Sequence, residues 1–219
     1  MTQAGRFIVF EGGDGAGKGS ALAAVAEALA ADGRTVLTTR EPGGTPEGLE
    51  LRALLLSAAG AVWDQGSELL LMTAARVQHV KRVIRPAVAA GQIVLCDRFV
   101  GSTLAYQGGG RGLPASLIRG LHHTFVDDVW PDLTVLLDVD AATGLRRSRQ
   151  RLAATAADEG RFEAMDMDFH ERVRASFLEQ AEAAADATRV INAARPLDSV
   201  VADVVSQVRA WLTASFTAG

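Results

Sequence analysis

The sequence predicts an α/β fold, a five-stranded parallel sheet flanked by helices. Three observations predict it. Short apolar runs alternate with longer amphipathic ones along all 219 residues, the pattern of a parallel sheet wrapped by helices. Hydrophobic residues make up 48% of the chain, enough to bury one sizeable core. A glycine-rich loop also stands between the first apolar run and the first helical one. In order, "RFIVFE" (6–11) reads as a buried strand and residues 19–33 as an Ala-rich helix closed by Asp32-Gly33. "RTVLTTR" (34–40) is the second strand, and 46–59 and 66–90 are two helices. "QIVLCDR" (92–98) is the third strand, ending in charge. A glycine-rich loop (108–112) precedes a helix near 114–126. "LTVLLDVD" (133–140) is the fourth strand, with helices at 141–152 and 163–186. "TRVINA" (188–193) is the fifth strand, and 197–214 the closing helix. Without an internal repeat or a long linker, the chain reads as one domain, with 151–161 the segment best suited to a mobile lid.

Charge narrows the classes of partner. The net charge is −4 and the pI about 5.6, which argues against a general nucleic-acid binder. The single Cys96 excludes an intrachain disulfide and fits a reducing compartment. "MTQAGR" runs straight into a strand with no signal segment, and no apolar run nears the ~18 residues of a membrane span. A soluble, cytoplasmic protein is expected. His122 and His123 are adjacent, point in different directions and make a poor metal pair, so they read as ordinary surface or helix histidines.

The strongest motif is "GGDGAGKGS" (12–20). Gly12, Gly17 and Lys18 fit the G-x-x-x-x-G-K frame between a strand and a helix. Glycines let backbone N–H groups curl around phosphate oxygens, the helix N-terminus adds positive potential, and the lysine bridges the outer phosphates. Lys18 is one of only two lysines among 22 basic residues, so chance is a weak rival. The loop Gly12, Gly13, Asp14, Gly15, Ala16, Gly17, Lys18, Gly19 and Ser20 is the candidate ATP site. Gly19 stands where a hydroxyl usually ligates Mg²⁺. Ser20 is one residue late, about 100° around the helix. The metal would then be held by ATP oxygens and water, with Asp97, at the end of "IVLCD", anchoring that water.

Together with the loop, "TREPGGT", "AARVQH", "CDRF", "STLAYQGGGRG" and "GRFE" resemble the bacterial thymidylate kinase family nearly end to end. The resemblance implies a P-loop nucleoside monophosphate kinase fold, usually a homodimer, that uses Mg²⁺ and transfers the γ-phosphoryl of ATP to dTMP, giving dTDP for dTTP synthesis. It implies that Asp14 lies near the acceptor 3′-hydroxyl and that Arg40 and Pro42 shape the acceptor pocket. Arg76 would contact the thymine carbonyl, Arg98 clamp the acceptor phosphate and Asp97 be the carboxylate on the metal side. Ser102, Thr103 and Gln107 would contact the base, Tyr106 crowd the 2′ position, and "NAARPL" (192–197) lie along the adenine. One class of the family carries an arginine inside the loop. Gly15 stands there, so the charge is expected from Arg147, Arg149 or Arg151, beside the lid at 150–162. Arg147 and Arg151 share a helix face, and which arginine acts stays open. Met72 replaces a phenylalanine that stacks on thymine, and Gly160 and Met165 replace residues commonly acidic. The alternatives are a kinase of another nucleoside monophosphate on the same fold, or a non-catalytic nucleotide-binding module.

Overall fold

In the computed structural model, described over residues 5–57, 62–155 and 160–217, five strands form one all-parallel sheet. They are β1 (Arg6–Glu11), β2 (Val36–Arg40), β3 (Ile93–Asp97), β4 (Leu133–Asp138) and β5 (Thr188–Asn192), in the order β2-β3-β1-β4-β5. β1 pairs with β3 on one side and β4 on the other, while the chain leaving β1 crosses over β3 to reach β2. A crevice opens at such a switch point, beyond the carboxyl ends of the strands. The register sets Asp97 beside Phe10 and Arg40.

Period-two alternation sends side chains to both faces. Ile8, Phe10, Leu95, Val135 and Leu137 pack under α1 (Lys18–Ala31) and α9 (Leu197–Thr217). Phe7, Val9, Val94 and Cys96 face α3 (Gln65–His79), α5 (Val100–Thr103) and α6 (Ala115–Phe125). Strands buried on both faces read as continuous apolar runs, which is why they are plain in the sequence. A third cluster joins Tyr106 and Leu136 to Phe162, Phe169, Val173 and Phe177, the last three on α8 (Met167–Ala183).

Several element boundaries differ from expectation. The first helix of 46–59 ends early: α2 is Pro46–Leu56, and 58–61 lie outside the described residues. The helix expected over 66–90 is three pieces: α3, a π-helical turn Val80–Ile84, and α4 (Arg85–Ala89). Arg85 N–H bonds Val80 O, five residues back, just before Pro86, whose ring cannot follow an unbroken α-helical ladder. The expected glycine loop is mostly helical. Leu104–Gly110 is a second π-helical stretch that continues α5. Its glycines serve close packing: a Cβ on Gly110 would sit 2.4 Å from the Phe169 ring, and one on Gly109 2.7 Å from Ser176 Cβ. α8 starts at Met167 rather than 163, because Asp166 accepts the Phe169 N–H as an N-cap. α7 (Ala141–Thr155) carries the arginines ahead of the expected lid, of which 156–159 lie outside the described residues. His122 and His123 both lie on α6, as helix histidines; His123 is exposed, but His122 is buried rather than at the surface, with Nε2 donating to Val129 O. Among the described residues no helix is long and apolar enough to cross a membrane.

Candidate active site

The phosphate loop turns tightly from β1 into α1, with Gly12, Gly15 and Gly17 all at positive φ. Gly15 shows why. A Cβ there would lie 2.0 Å from Gly144 O and 3.0 Å from Arg147 Cβ, and a Cβ on Gly144 would lie 2.6 Å from Asp14 O. The loop therefore docks backbone-to-backbone on α7. Lys18 is buried, and Nζ donates to Gly12 O and Gly13 O at 3.0 and 2.8 Å. Burial first, then the neighbouring Arg98, push its pKa down to about 8. Gly19 lies within α1 in open space, and Ser20 is exposed.

Arg98 follows β3 in the left-handed region at φ 71°, an uncommon conformation for a residue with a Cβ, of the kind found at functional sites. The turn aims its guanidinium back over the loop. Nη1 donates to Gly12 O and Ser102 Oγ, and Nη2 donates to Asp14 Oδ1 at 2.7 Å and Tyr106 OH at 3.3 Å. Tyr106 OH donates to Asp14 Oδ2 at 2.7 Å, and its ring stacks under the Arg98 guanidinium. Burial alone would raise the Asp14 pKa, but Arg98, Lys18 and the Tyr106 hydroxyl bring it down to about 2. Behind them Glu11, ending β1, accepts Phe99 N–H, Ser102 N–H and Ser102 Oγ–H. Burial raises its pKa against those hydrogen bonds.

Asp14, Arg98, Ser102 and Tyr106 form one end of a cavity lined also by Pro42, Met72, Arg76, Thr103 and Gln107. Arg76 is held from behind: Nε donates to Glu41 Oε2 at 2.7 Å and Nη2 to Thr103 Oγ1 at 2.8 Å. Glu41 also meets His79 Nδ1, and His79 Nε2 meets Thr39 Oγ1. Of the residues expected around an acceptor, Asp14, Pro42, Met72, Arg76, Arg98, Ser102, Thr103, Tyr106 and Gln107 come together here. Arg40 does not, standing exposed on the edge strand β2.

The three candidate arginines separate. Arg151 lines the cavity, Arg147 donates to Ala193 O in the loop after β5, and Arg149 donates to Glu163 O. Asp97 Oδ1 is buried at the end of β3 without a hydrogen-bond partner among the described residues, and its charge is felt at Lys18. An orphaned carboxylate oxygen in that place suits a cation or its water shell. Among the described residues no three His, Cys, Asp or Glu side chains could hold a metal by themselves.

Sequence reading passed over Glu11, Glu41, Glu68 and Glu163. Glu11 and Glu41 stand where apolar strands end at the carboxyl edge of a parallel sheet, a position that marks site residues. Glu163 accepts from Ser148 Oγ and lines the cavity, and burial and then Asp14 raise its pKa.

A parallel sheet in this order, a phosphate loop after β1 and a cavity facing that loop define a P-loop kinase of the nucleoside monophosphate class. The thymidylate kinase family model matches residues 10–204. The chain belongs to the thymidylate kinase family. It is 58% identical to the thymidylate kinase of Cereibacter sphaeroides over 181 residues, 83% of each chain. To that of Magnetococcus marinus it is 46% identical over 97% of this chain and 99% of the other. The crystal structure of thymidylate kinase from Ehrlichia chaffeensis superposes with a TM-score of 0.75 at 35% identity, covering 94% of this chain and 99% of that one.

Proposed function

We propose that this chain transfers the γ-phosphoryl of ATP to dTMP, giving dTDP, in the cytoplasm. The observation that carries the reading is the continuity between the phosphate loop and the cavity. Asp14 and Arg98 belong to both, with Tyr106 between them. A nucleotide held at Arg76 and Gln107 by its base thus brings its phosphate toward Lys18.

The acceptor is already an oxyanion, so the chemistry needs alignment and charge neutralisation rather than a strong base. Arg98 holds the acceptor phosphate, Asp14 accepts from the sugar hydroxyl, Lys18 meets the donor's outer phosphates, and Arg151 supplies charge from α7. Asp97 would hold Mg²⁺ through water, the ion neutralising charge on the transferring phosphates. Arg147, tied to Ala193 O, steadies the adenine side. Leu70 on α3 and Leu117 and Phe125 on α6 are exposed, and this apolar face supports a homodimer.

The test is a panel of nucleoside monophosphates with ATP and Mg²⁺, read by coupled ADP release. dTMP should give the highest kcat/KM. Faster turnover of a purine monophosphate or of CMP would replace this reading with a kinase of other specificity, and no turnover of any would leave a binding module.

A further inference from the structure

Glu68, Met72 and Arg76 recur every four residues along one face of α3. Met72 and Arg76 line the cavity, while Glu68 is fully buried behind it. Its Oε1 accepts Gln107 Nε2–H at 2.8 Å. Its Oε2 accepts from Arg161 Nη2 at 2.6 Å and Arg111 Nη2 at 3.2 Å. With two guanidinium groups on Oε2, both oxygens act as acceptors. A side-chain amide is otherwise free to turn end for end, but a partner with no proton to give admits only its NH₂ end. Gln107 Oε1 is then the end left for the cavity. It takes no hydrogen bond from the described residues and is not sealed away. Arg76, with Nε and Nη2 held by Glu41 and Thr103, keeps Nη1 for the same cavity.

We propose that Glu68 is a positioning residue that sets base specificity: by fixing the Gln107 amide, it makes the cavity offer an acceptor beside a donor. The substrate class that fits is a pyrimidine nucleotide with an N3–H and a 4-oxo group. The N3–H donates to Gln107 Oε1 and the 4-oxo accepts from Arg76. Cytosine inverts both groups. Its bare N3 faces an acceptor and its amino group faces a guanidinium N–H, so buried polar groups on both sides go unpaired. This inference rests on the reading of the cavity as the pyrimidine nucleotide site.

The experiment compares kcat/KM for dTMP, dUMP and dCMP in the wild type and variants. The wild type should favour dTMP and dUMP over dCMP. If it does not, the functional reading fails and this proposal with it. In Glu68→Gln the new amide can donate or accept, and Gln107 is free to turn. The dTMP-to-dCMP ratio should fall at least about tenfold, equal to ~1.4 kcal/mol, with the change mostly in KM. Glu68→Asp keeps an acceptor-only group and should keep the ratio, as should Arg161→Met and Arg111→Met, whatever they do to overall rate. If Glu68→Gln does not fold, the double variant Glu68→Gln/Arg161→Gln, which leaves one fewer guanidinium unpaired, is measured against the same criterion. A Glu68→Gln or double variant that slows both substrates in proportion, leaving the ratio where it was, overturns the proposal and leaves Glu68 as a brace for Arg161 alone.

Discussion

Lys18 titrates within reach of ordinary assay conditions, because burial and then Arg98 bring its pKa to about 8. Above that value the free enzyme loses the ammonium proposed to meet the donor phosphates. The kcat/KM for ATP should therefore fall as pH rises through about 8, since this parameter reports the free enzyme. At saturating ATP the step should move to higher pH, because bound phosphates favour the charged amine. Lys18→Ala should be slower by more than tenfold, about 1.4 kcal/mol or more in barrier, and should lack the step in a pH-rate profile. Gly19 is a second residue with a direct test. It has helical backbone and nothing within 4 Å of an added Cβ, so Gly19→Thr has room at its Cβ and should not lower stability, threonine being better in a helix than glycine by about 0.3 kcal/mol. A Mg²⁺ titration at fixed ATP should show half-maximal activity at lower Mg²⁺ for Gly19→Thr and at higher Mg²⁺ for Asp97→Asn. At this scale the groups proposed to carry the chemistry were readable, because the loop, "CDRF" and "STLAYQ" place Lys18, Arg98 and Tyr106 in short contiguous strings. The acids that brace Arg76 and Arg161 were not. Glu41 meets Arg76 across 35 positions and Glu68 meets Arg161 across 93. A pairing so distant leaves no local pattern until the chain has folded.

The junction between the phosphate loop and α7 depends on two facing glycines. Gly15→Ala would put a methyl 2.0 Å from Gly144 O on a backbone at φ 73°, a conformation that costs a residue with a Cβ about 1–3 kcal/mol. Denaturant unfolding should show a loss of at least that size, together with weaker ATP binding. Gly13→Ala, with open space around its Cβ, should stay within about 0.5 kcal/mol of wild type. Among the elements, β1, β3 and β4 were plain in sequence because burial on both faces makes them nearly uninterrupted apolar runs, while the edge strands β2 and β5 were placed by their short β-branched runs between helical segments. The two π-helical turns were hidden. One extra residue in a turn shifts the helical phase without breaking the apolar pattern, and Gly108, Gly109 and Gly110 favour a loop by propensity alone. Their close approach to Phe169 and Ser176 on α8 overrides that preference. Asp166 was a cap signal in plain view, and reading it would have put the start of α8 at Met167.

For the molecule as a whole, assembly is the open measurement. Leu70 is 57% and Leu117 47% exposed on α3 and α6, which pack against one another. A Leu70→Arg/Leu117→Arg variant should elute and sediment at half the mass of the wild type while keeping its far-ultraviolet dichroism. A wild type that is itself monomeric would remove the dimer from the reading. The fold class was accessible from sequence because strand-helix alternation leaves few topologies, whereas the meeting of loop, cavity and α7 depends on tertiary packing. That meeting also limits how this chain can diverge. The carbonyl of Gly144 fills the space beside position 15, so an arginine introduced into the loop has nowhere to begin its side chain until α7 retreats. A helix displaced far enough to admit it would carry Arg147 and Arg151 away from their places. In this packing, charge borne on the loop at position 15 and charge delivered from α7 are therefore alternatives rather than additions.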